Sequence, residues 1–124
     1  MPEPSESDRR KAAQLAPEVA ATRLVDCLAR GLDVRFNCQY CGMEWTWGRR
    51  ELLGQRLRQR LAWTIARAQA GVFCPQKGCG GHRPIVRLMQ GGYRDEHADS
   101  PAARRAHVVT MLLYIGVLPE EVGL

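Results

Sequence analysis

Lysine is nearly missing from this chain of 124 residues: of its 18 basic side chains, 16 are arginine. Aromatic residues are sparse too, with three Trp, three Tyr and two Phe. No stretch approaches the roughly 18 apolar residues that a membrane-crossing helix needs. The longest, Val108 to Leu118, is broken by Thr110, so no membrane partner is expected. The opening Met1-Pro2-Glu3-Pro4 lacks the apolar core of a secretory signal, and a cytoplasmic, reducing compartment is the expectation. No glycine-rich phosphate cradle and no serine, histidine and acid motif is present. Asp95, Glu96, His97 and Asp99 cluster only in a polar stretch. Enzymatic activity is therefore not expected.

Acidic side chains are scarce in the middle of the chain. Residues 48–90 hold nine basic side chains against one acidic, Glu51, whereas both flanks are slightly acidic. Such a surface favours anionic partners. The arginine bias of the whole chain weakens that inference, because base composition of a genome produces the same bias.

The length fits one domain. Residues 1–14 are polar at the start and read as a flexible tail, leaving 15–124 as a single domain. Pro17, an apolar stripe through Val19, Leu24, Val25 and Leu28, and then Gly31 predict a helix. Cys27 falls inside it and reads as a small buried hydrophobe. Leu32 to Asn37 alternates with period two and predicts a strand, and Met43 to Trp47 predicts the returning strand of a hairpin. Leu53, Leu57, Leu61 and Ile65 share one face of a predicted long helical insertion over 49–69. Ile85 to Leu88 reads as a further strand, and Pro101 to Ile115 as a C-terminal helix. The fold class is α+β, with small β-hairpins, a helical insertion, and helices at either end.

The five cysteines carry the strongest signal. Cys38 and Cys41 are two residues apart and precede Gly42; Cys74 and Cys79 are four apart and precede Gly80. Each pair follows a short apolar segment. Spacers of this length curl the chain so that two thiolates face one ion, and two such turns supply the four sulfurs that structural zinc takes in a tetrahedron. All four positions would be filled by protein, with none left for a catalytic water. One zinc per chain on Cys38, Cys41, Cys74 and Cys79 is the reading. A redox Cys-x-x-Cys, unligated cysteines and an iron–sulfur cluster remain alternatives. His82, three residues after Cys79, is an alternative ligand; His97 and His107 have no ligand spacing.

These two turns resemble the knuckles of a zinc ribbon, split by a 32-residue spacer as in ribbons with a helical insertion. The stretch from Trp47 to Ile65 and the ending Cys79-Gly80-Gly81 also resemble small, mostly uncharacterised bacterial proteins with split cysteine pairs. The resemblance implies a zinc-finger-like module that binds nucleic acid or stabilises a larger assembly.

On one continuous helix, Arg49, Arg56, Arg60 and Arg67 would line a single face, with Trp63 beside them. Guanidinium groups so arranged can engage DNA or RNA phosphates without reading sequence, and Trp63 could stack on an unpaired base. Arg87 would extend the patch, joined by Arg83. The competing account is a solvated basic face, or one docked on an acidic protein. A different function class is an adaptor that binds a protein partner, or forms a homo-oligomer, through Val108, Leu112 and Ile115.

Overall fold

The computed structural model describes residues 4–91 and 100–124; the acidic cluster around Asp95 lies outside them. In chain order the elements are α1 (Glu6–Ala12), α2 (Pro17–Ala21), α3 (Leu24–Arg30), β1 (Leu32–Asn37), β2 (Glu44–Trp47), α4 (Arg49–Leu52), a 3-10 turn (Arg58–Arg60), α5 (Ile65–Gly71), β3 (Ile85–Gln90), α6 (Pro101–Tyr114) and a second 3-10 turn (Pro119–Val122). The α+β class is as expected.

The strands form one antiparallel sheet in the order β2-β1-β3. Val34 lies opposite Trp47 and Leu88, and Phe36 opposite Trp45 and Val86. Opposed residues share a face, so these six side chains make the inner surface. Arg35 and Arg87 oppose each other on the outer surface. Phe36 is fully buried, with Trp45 stacked on it at 5.3 Å and Trp47 edge-on at 4.6 Å. Leu24, Val25 and Leu28 of α3, Leu52, Leu61 and Ile65, and Val108 and Leu112 of α6 complete the core with them.

Two expectations are corrected. The helix over 17–30 is two helices, because Thr22 and Arg23 are extended. Arg23 bridges Thr64 there, and the Leu24 and Val25 amides donate to the Trp63 and Leu61 carbonyls at 2.9 Å. The 49–69 helix is broken too: α4 ends at Leu52, residues 53–57 turn around Gly54, and the same pairing interrupts the ladder at 61–65. Carbonyls spent on α3, and the Ile65 amide donating to the Thr22 carbonyl at 2.7 Å, are withdrawn from the helical ladder. Thr64 restarts the helix by accepting the Arg67 amide at its hydroxyl, 3.2 Å away. Core periodicity survives the break: Leu57, Leu61 and Ile65 are buried and Leu53 is half-buried, with Leu52 buried beside it.

The N-terminal residues carry a short helix. Residues 6–12 form α1, opened by a Ser5–Asp8 capping box. It is tied down by amides. Gln69, 8% exposed, donates to the Ala13 carbonyl at 2.7 Å and the Pro84 carbonyl at 2.9 Å. Gln39 donates to the Arg9 and Arg83 carbonyls, each at 3.0 Å. These contacts to residues 9 and 13 are made through backbone acceptors.

Candidate metal centre and basic cleft

The sheet brings the two cysteine turns together. Asn37, one residue before Cys38, pairs with Ile85, which follows the second turn. The turns share one construction. In each, the first cysteine's amide donates at 2.8 Å to the carbonyl two residues past the second cysteine: Cys38 to Met43, Cys74 to Gly81. The glycine after each second cysteine is left-handed, with φ of 77° at Gly42 and 61° at Gly80.

Four sulfurs result, all within 4.8 Å of one another. Cys38 and Cys79 stand 3.6 Å apart, and Cys41 and Cys74 3.5 Å. Those distances are far beyond a disulfide bond. They match the spacing of about 3.8 Å that a tetrahedron with 2.3 Å zinc–sulfur bonds requires. The cluster is thus geometrically compatible with a structural Zn2+. The Tyr40 and Cys41 amides point at the Cys38 sulfur, at 3.3 and 3.5 Å. Burial alone would raise the Cys38 thiol, but these amides outweigh it and draw the thiol down to about 7. Burial pushes Cys74 up to about 12. A bound divalent cation must displace these protons, so affinity falls with falling pH.

Gly81 is the tightest position. A Cβ there would stand 2.6 Å from the Tyr40 ring and 2.9 Å from the Cys38 sulfur, so only glycine lets the second turn close on the first. Cys27 is apart from the cluster, fully buried among apolar side chains, its thiol pushed up to about 12 by burial. His82 is exposed and its ring lies 5.6 Å from Tyr40. Among the described residues the ligand cluster contains four cysteines and no histidine.

The arginines expected to form one patch, four on a helix face and Arg87 extending it, divide into three places. Arg49 turns toward α6, its Nη2 donating to the Met111 sulfur at 3.0 Å. Arg87 lies on the outer sheet surface. Arg56, Arg60 and Arg67 remain exposed around one region. The Arg60 and Arg67 guanidinium groups lie 5.0 and 4.5 Å from the Trp63 ring centre, so Trp63 holds arginines instead of offering a bare stacking platform.

Arg56 and Arg60 also line a cleft of about 540 Å3 that contains Trp45, Trp47 and Phe73. Trp45 and Trp47 were expected only as strand residues, with no cleft beside them. The exposure of Phe73, 62%, depends on the second turn's geometry and had no local signal. A smaller basic cleft, lined by Arg9, Arg10, His82 and Arg83 with Glu6, Gln39 and Tyr40, adjoins the first turn. Cationic side chains there would offset the net negative charge of four thiolates on one Zn2+.

Val108 and Leu112, expected as partner contacts, are 2% and 0% exposed and belong to the core. The apolar side chains facing outward near the end of α6 are Leu113, Tyr114 and Leu118. Among the described residues, no helix is long and apolar enough to cross a membrane.

Compared with family models, with curated proteins and with solved structures, the chain has no match.

Proposed function

We propose that this chain is a zinc-stabilised binding module that contacts nucleic acid through Arg56, Arg60 and Arg67. The observation that carries the reading is the double placement of Arg60: it is stacked near Trp63 and lines the same cleft as Arg56. Guanidinium groups held by aromatic rings lose less freedom when they meet a phosphate. The excess of basic over acidic residues in 48–90 supplies the field. The metal holds the scaffold and takes no part in chemistry, because four protein sulfurs fill its coordination shell. Binding, not catalysis, is the role assigned.

Affinity for DNA or RNA is expected to fall linearly in log Kd against log salt. The double variant Arg56→Glu/Arg60→Glu should flatten that slope by about 1.8 on duplex and about 1.4 on single strands, roughly 0.9 and 0.7 per lost phosphate contact. An interaction that is absent at low salt, or indifferent to salt, would overturn the reading.

A further inference from the structure

We infer that the cleft beside β2 takes an unpaired nucleobase, so that the ligand is a single strand and not a duplex. This deepens the nucleic-acid reading and rests on it.

Three features of the cleft point to a planar, anionic ligand. Trp45 and Trp47 form an aromatic lining, each half-buried and backed by Phe36. Phe73 adds a ring that is 62% exposed. A phenyl ring left so open gains nothing for the core. Its place is nonetheless set by backbone pairing: Phe73 bridges His82, and the next residue's amide donates to Gly81. The metal turn therefore aims Phe73.

The rim supplies charge and edge recognition. Arg56 and Arg60 provide the cations, and Gln55 carries both a donor and an acceptor. Glu51, the carboxylate lining the cleft, already accepts the Gly48 amide at 2.8 Å. The volume, about 540 Å3, lies within the usual range of sites that enclose small organic groups. Base planes in a duplex are stacked on one another and cannot enter. A splayed strand offers base faces to the rings and phosphates to the arginines together, as single-strand sites do.

A proline-rich peptide also suits an aromatic groove, but it does not use the two arginines. Charge on the rim favours the nucleic acid.

The test uses full-length, zinc-loaded protein and labelled oligothymidine and oligouridine of about 20 nucleotides, with a duplex of equal length, followed by fluorescence anisotropy. The single strands should bind at least tenfold more tightly than the duplex. Phe73→Ala should weaken single-strand binding about 10- to 100-fold and leave duplex binding unchanged. Phe73 is mostly exposed, so this variant keeps its fold, which zinc content verifies. Equal binding of strand and duplex, with Phe73→Ala silent, would overturn the cleft assignment and leave the nucleic-acid reading standing. No binding of either at low salt would end both. Single-strand binding untouched by Arg56→Glu would also reject the site.

Discussion

The two ends of this molecule cohere by different means. The helical end buries Leu24, Val25, Leu52, Leu61, Ile65, Val108 and Leu112 completely or nearly so. The cysteine end buries almost nothing apolar: between Phe73 and Arg83 the buried positions are Cys74 and Gly81. One end is held by area removed from water. The other has no such area, and four sulfurs drawn to one cation must substitute for it. Small domains use metal in this way where a core is too thin to close. The cleft spans the division, with Phe73 and Pro75 from the cysteine end and Glu51 to Arg60 from the helical segment.

Metal removal should break that comparison hardest. Structural zinc binding in zinc-finger peptides releases about 10–16 kcal/mol at neutral pH, and here that energy closes the two turns while the helical end keeps its own core. Chelation should open the two turns, loosen Trp45 and Trp47, and abolish cleft binding, while much of the helix signal persists. Thiol counting gives the sharpest readout. Four cysteines should become reactive, whereas Cys27, buried and held protonated at neutral pH, should stay silent until global unfolding. Acid should act as a chelator does. Zinc retention should fall as pH drops, because protons compete with the metal for the four thiolates. A fold and a thiol count unchanged by thorough chelation would remove the metal from the account.

The converse variant is Leu61→Ala. Leu61 is fully buried, and its carbonyl accepts the Val25 amide. Truncation should cost about 2–5 kcal/mol through lost burial and the cavity left behind. Zinc stoichiometry should stay at one per chain, because the turns take no packing from this residue. Denaturant melts read the first quantity and elemental analysis the second. A Leu61→Ala protein that folds but no longer holds zinc would show the two ends to be one cooperative unit.

Cysteine spacing was legible because the covalent chain encodes it. Two or four residues between ligands, and glycine after the second, restrict the turn whatever surrounds it. The β1 and β2 alternation was legible for a similar reason, since period two assigns faces directly. The arginine stripe was not. Helical periodicity over 49–69 assumed that backbone hydrogen bonds stay local, and residues 61–65 spend theirs on Thr22–Val25. Periodicity still identified Leu57, Leu61 and Ile65 as core, because a bent segment facing the core buries the same apolar residues as a straight one. What it misplaced was the opposite face. Arg49 and Arg67 were expected in line, yet one meets Met111 and the other Trp63. Amide clamps such as Gln39 and Gln69 left no sequence pattern, since their acceptors are distant backbone carbonyls.

Thr64→Ala tests the smallest of these effects and decides between two accounts of the break. Thr64 caps α5 through its hydroxyl, 3.2 Å from the Arg67 amide. If the break is enforced by pairing with α3, removing the cap leaves an orphan amide and costs about 1 kcal/mol. If Thr64 itself interrupts an otherwise continuous helix, alanine, the better helix former, should stabilise the chain and add helical signal. The first outcome is expected, because the Arg23–Thr64 bridge and the Ile65-to-Thr22 hydrogen bond involve main-chain atoms that the substitution leaves in place. A gain in both stability and helicity would show that Thr64 itself, and not the pairing with α3, interrupts the chain ahead of α5.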